Sequence, residues 1–236
     1  MKRLSRVQIE NIAKRIIDKY KELPENQGVE VYRIEPELLL TKLFGISIEH
    51  ANLSLDGSIL GLTSFEDYEV EVFDDSDESY FLCLDGKTVV IDKTLKFNVN
   101  QKGRYNFTLM HEGSHQILKI LYPNHYGAYA PNEELQFYEP NSELKKPIAD
   151  WEEWQANALA SALLLPEDIV RYGMFLFGLG NKIYTLNKKT HLAEYRSFES
   201  LAEFLGVSKK ALAIRMKQLG LLENEYLDRP NAIIEI

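Results

Sequence analysis

A single cysteine, Cys83, excludes both a disulfide within the chain and a thiolate metal cluster. It stands in the apolar run YFLCL, where it reads as a small buried hydrophobe on a strand. No stretch reaches 18 consecutive apolar residues, and the opening MKRLSRVQIENIAK scatters charge where a secretory leader would be apolar. A cytoplasmic protein without membrane contact is expected. Positive charge is also short. With 27 Lys and Arg against 36 Asp and Glu, the net charge of −9 offers no footprint for a phosphate backbone, so nucleic acid is not the expected partner. Repeats and low-complexity segments are absent as well.

What the chain does have is enough apolar material, 45% of 236 residues, to bury the core of one large domain or two small ones. Ile9, Ile12, Ala13, Ile16, Ile17 and Tyr20 repeat at helical spacing, with Pro24 soon after. VEVYRI at 29–34 reads as a strand, EPELLLTKLFG as a helix from Pro36 to a stop at Gly45, and ISIEHANL as a strand from Ile46. Between 58 and 92 the pattern becomes short β-type runs: SILGLTSF, YEVEVF, YFLCL and TVVID. Asp85-Gly86-Lys87 predicts a hairpin joining the last two, and the sheet is expected to be mostly antiparallel. The acidic run DDSDES at 74–79 lacks the glycine and final glutamate of a calcium loop and reads as a solvated connection. TVVID is a candidate sheet edge for pairing with an extended peptide, or else a plain interior strand.

The chemistry concentrates in RYNFTLMHEGSHQILKIL, 104–121, where two of the five histidines interrupt an apolar helix. At i and i+4, His111 and His115 share a face and can grip one cation, with Glu112 leaning toward it. This HExxH pattern is the zincin signature. Neutral imidazoles suit Zn²⁺, which needs a third protein ligand and an open position for water; Glu112 would be the general base. DWEEWQANALASALLLP reads as a second helix, capped by Asp150 and closed by Pro166, with Trp151, Trp154, Leu159 and Leu163 apolar. It offers Glu153 as third ligand, four residues before Asn157, whose amide oxygen could accept a ligand histidine's second N–H. Glu152 is the alternative ligand, on a face about 100° away. Gly113 inside the first helix suggests close approach of another backbone, such as a sheet edge. In the Tyr- and Pro-rich connection between the helices, His125, Tyr126 and Tyr129 are candidates to stabilise an oxyanion. His50 and His191 receive no role.

RYNFTLMHEGSHQIL followed by EEWQANALASALLLPEDIV resembles the ImmA/IrrE metallopeptidases, whose members carry R-x-x-FT-x-x-HE-x-x-H and then E-x-x-AN-x-FA-x-x-LL-x-P. The resemblance is close over 104–170 and looser elsewhere. It implies His111, His115 and Glu153 as ligands of one Zn²⁺ and Glu112 as general base. The substrate it implies is a helix-turn-helix repressor or antitoxin-like protein. Two positions depart from the family pattern: Ser114 stands before His115 where glycine is usual, and Leu159 replaces a phenylalanine. Manganese and iron also fit such a donor set.

The expected fold is α+β: a zincin-like core over 1–170 with its small sheet packed on the HExxH helix, then an all-helical part over 171–236 packed on it. Within the latter, about 198–220, SFESLAEFLGVSKKALAIRMKQLGLL outlines a helix-turn-helix. Leu201, Ala202, Leu205, Val207, Leu212 and Leu219 are its apolar set and Ser208 is the N-cap. Were it to read DNA, Lys209, Lys210, Ala211 and Arg215 would face the groove, against the charge of Glu199 and Glu203. Three functions follow: a zinc endopeptidase acting on a regulatory protein, a metal-holding protein that docks a repressor without cleaving it, or a DNA-binding regulator.

Overall fold

A computed structural model describes residues 2–126, 136–137 and 149–228. The first helix, α1 (Arg6–Lys21), starts at Ser5, whose hydroxyl accepts from the Gln8 N–H while the Gln8 side chain accepts from the Ser5 N–H. Its expected apolar stripe is buried, apart from the half-buried Ile12. The stretch 29–34 forms no strand: no neighbouring strand pairs with it. It instead inserts Ile34 into the core, and the Glu35 N–H donates to the Tyr20 hydroxyl. The helix expected from Pro36 is present, α2 (Pro36–Leu38), but continues as a π-helical turn (Leu39–Leu43) before Gly45.

Five strands follow: β1 (Ser47–Ala51), β2 (Gly61–Thr63), β3 (Asp67–Phe73), β4 (Ser79–Asp85) and β5 (Thr88–Asp92). β5 sits inside the main sheet, parallel to β1 and antiparallel to β2, whose other edge takes β6 (Gln136–Phe137) antiparallel. All five residues of β5 are buried, as an interior strand requires, so it offers no free edge to a peptide. The expected β4–β5 hairpin does not form. β4 pairs with β3 across the acidic run, which is the solvated turn of that ribbon, and Gly86 (φ +72°) redirects the chain into the other sheet. Cys83 is exposed on the ribbon's outer face, opposite Glu69, rather than buried, because it points away from Val70 and Val72.

A short helix α3 (Lys93–Phe97), capped by Asp92, leads to α4 (Lys102–Leu121), which packs on β2, β5 and α5 (Ala149–Leu164). Since α5 begins at Ala149, Asp150 lies inside its first turn rather than at its cap. Beyond α6 (Glu167–Leu176) the chain is not all-helical. β7 (Ile183–Leu186) pairs in parallel with β8 (Leu222–Glu225), and between them lie α7 (Leu192–Leu205) and α8 (Lys209–Gln218). Gly206 closes α7 with φ +68° and Ser208 caps α8 as expected. One apolar cluster runs from Leu4 through α4 and α5 to Leu222.

Arg215, which would face the groove were α8 to read DNA, is buried. Its Nε donates to the Leu165 carbonyl at 2.9 Å and its guanidinium forks onto both carboxylate oxygens of Glu10. The α6-to-β8 portion is thereby fastened to α1 and to the end of α5. Removing one partner of a buried pair strands the other, although Glu10 keeps some solvent. Arg215→Ala is expected to cost about 3 kcal/mol of unfolding free energy, measured by urea denaturation. A change within noise would mean the fork carries no weight.

Candidate metal centre

Two glycines set the position of α4. A Cβ on Gly61 of β2 would come within 2.9 Å of the Thr108 and Glu112 side chains, so the missing side chain lets α4 lie close on the strand. A Cβ on Gly113 would run into the Leu40 side chain of the π-helical turn. The close neighbour expected at Gly113 is therefore the Leu40 side chain and not a sheet edge. The sheet's approach is through Gly61, which an isolated glycine within the β-type run SILGLTSF could have signalled.

On the other side α4 meets α5, and this contact builds the site. His111 and His115 are buried, with their Nε2 atoms 3.3 Å apart. Glu153 Oε2 lies 3.2 Å from His111 Nε2, and its Oε1 lies 3.2 Å from His115 Nε2. Tetrahedral ligands at 2.0–2.1 Å from one zinc ion would stand roughly 3.3 Å apart. The three donors thus have the spacing of one face of such a site, and His111, His115 and Glu153 could hold a metal ion. Glu152, the alternative ligand, is outside this group and acts on Tyr126 by its charge.

Burial lowers the pKa of the His111 imidazole from its ordinary 6.5, against the opposing pull of Glu153. Burial alone would raise the Glu153 carboxyl, but hydrogen bonds from His111 and His115 outweigh it and hold the group far below the usual carboxylate range. Asn157 donates from its amide to the Glu153 carbonyl at 2.9 Å. It also contacts His111, favouring the protonated ring, as a neighbouring acceptor does.

Glu112 is fully buried, its Oε1 3.9 Å from His111 Nε2, and neither of its oxygens has a hydrogen-bond partner among the described residues. Burial, then the charge of Glu153, raises its carboxyl well above 4.5. An orphaned carboxyl beside a three-donor cluster fits a dication, which would supply the missing counter-charge.

Of the candidate oxyanion groups, Tyr126 is packed in the core with its hydroxyl donating to the Lys2 carbonyl. His125 is exposed in the turn after α4, and Tyr129 lies outside the described residues. Nor does α8 present a basic face free of carboxylates. Arg215 is internal, and Lys209, Lys210 and Lys217 pair with Glu199, Asp228 and Glu225. Among the described residues, no helix is long and apolar enough to cross a membrane. No family model and no curated protein matches the chain.

Proposed function

We propose that this protein is a cytoplasmic zinc endopeptidase of the ImmA/IrrE kind, with a zincin-like core, and that it cleaves a regulatory protein of the helix-turn-helix repressor or antitoxin type. The observation that carries the reading is the donor face of His111, His115 and Glu153 with the buried, unpartnered Glu112 beside it. His₂Glu is the donor set of hydrolytic zinc sites that keep a position open. Bound there, zinc would supply Lewis acidity, polarising the scissile carbonyl and making water nucleophilic near neutral pH. Glu112 takes a proton from the attacking water and returns it to the leaving amine nitrogen. Glu153 stays ionised, Asn157 steadies His111, and Gly61 lets the helix bring Glu112 under β2. The helix pair α7–α8 belongs to the body of the enzyme in this reading, its turn seated on α4 where the Asn106 amide donates to the Gly206 carbonyl.

The test compares zinc-loaded and chelator-stripped protein on purified helix-turn-helix repressors, with products identified by mass spectrometry. Cleavage at one bond by the loaded protein, lost on stripping and restored by zinc, is expected. Stoichiometric capture of a repressor without any cleavage would replace the enzyme by a docking protein.

A further inference from the structure

We propose that the cleft between α2 and α3 is a second, small-molecule site, for a zwitterion of the amino-acid or short-peptide class with free ammonium and carboxylate groups. The cleft is a cavity of about 680 Å³, within the range of ligand pockets. Glu35 and Glu37 line one wall and Lys96 and Lys102 another, with Tyr105 and Asn106 of α4 as its floor. It involves none of the metal donors.

A chain of hydrogen bonds fixes the charge across it. The Tyr105 hydroxyl donates to Glu37 Oε1 at 2.6 Å, so its oxygen is left to accept from His50 Nε2 at 3.0 Å. That places the imidazole proton on Nε2 and leaves Nδ1 as acceptor for the Lys96 ammonium at 3.4 Å. Cation and anion are thus held at opposite ends of a neutral His–Tyr pair. Burial and then Lys96 lower the His50 pKa, while burial and then Glu37 raise that of Tyr105, so both remain neutral as the chain requires.

Arg33 neutralises Glu35, but among the described residues no cation pairs with Glu37 and no carboxylate with Lys96 or Lys102. A ligand that complements this arrangement brings a carboxylate to the two lysines and an ammonium to Glu37. Because the floor is α4 and the wall continues into the turn that seats Leu40 on Gly113, a bound ligand braces the helix that carries His111 and His115.

The probes are alanine, Ala-Ala, N-acetyl-Ala-Ala and Ala-Ala-amide, titrated calorimetrically into the full chain. Alanine or Ala-Ala is expected to bind with a dissociation constant of about 1 mM or tighter, and whichever of them binds names the source. Each end-blocked peptide should bind about tenfold more weakly, one lost charge-assisted hydrogen bond. Glu37→Gln should erase the discrimination against the acetylated peptide, and Lys96→Met with Lys102→Met that against the amide. Binding should persist in Glu153→Ala, which separates this site from the metal centre. No binding by either zwitterion, equal binding of blocked and free peptides, or loss of binding in Glu153→Ala would overturn the proposal.

Discussion

Glu112→Gln is expected to slow peptide hydrolysis by about 10²–10⁴-fold, the share general base catalysis commonly contributes, with metal content unchanged. Gln keeps the shape of the side chain and places no new bulk against Gly61, which already lies within contact of the Glu112 stem. The donor cluster of His111, His115 and Glu153 does not include it. A second signature comes from stability. In the metal-free protein the folded-state pKa of Glu112 lies well above the ordinary 4.5, so the unfolded chain ionises first. Its contribution is therefore intact below pH 4.5 and is lost as pH rises toward the folded value. Stripped wild type should lose thermal stability between acid and neutral pH, whereas stripped Glu112→Gln, which has no proton to lose there, should lose less. Zinc should offset part of the wild-type loss. Hydrolysis at the wild-type rate in Glu112→Gln would remove Glu112 from the chemistry, and parallel pH profiles for the two stripped proteins would remove its buried carboxyl from the stability argument.

The site was more legible than the fold because its information is local. The i, i+4 spacing of His111 and His115 dictates a shared helix face, and the matching spacing of Glu153 and Asn157 selects Glu153 over Glu152. What the sequence left open depends on distant partners. Nothing within the helix seating Gly113 names Leu40, and an arginine on an amphipathic helix reads as exposed until Glu10, 205 positions away, supplies its counter-charge. Strand pairing failed for the same reason. Asp85-Gly86 is a good local turn, but β5 is apolar on both faces and gains more between β1 and β2 than at the edge of an exposed ribbon. The short β7 and β8 are separated by the 35 residues between Leu186 and Leu222, which include α7 and α8, so their pairing is not a local signal. The chain of His50, Tyr105, Glu37 and Lys96 joins four elements in the same manner, so no single stretch announces it.

Glu153→Ala is expected to take the protein from one metal ion per chain to none retained after purification. Changes to groups that merely orient a ligand already cost about 10–100-fold in affinity, so loss of one of three candidate donors should exceed that. Among the three candidate donors this substitution is the most informative. The Glu153 side chain is 36% exposed, so its removal opens little cavity, whereas His115 is 2% exposed and its truncation would disturb packing as well as ligation. Fold and ligation are thus separable, and Glu153→Ala should lose metal while keeping a wild-type circular dichroism spectrum. The pH dependence in wild type follows from the same donors. Glu153 stays ionised far into acid, so protonation of imidazole, not of this carboxylate, should expel the metal as pH falls. Because burial holds the His111 pKa below 6.5, His111 itself resists that release until the pH is lower still. Metal content by mass spectrometry across this series decides the matter. Undiminished metal in folded Glu153→Ala would reduce the centre to two histidines, and with that the open-site peptidase chemistry built on three ligands would fall.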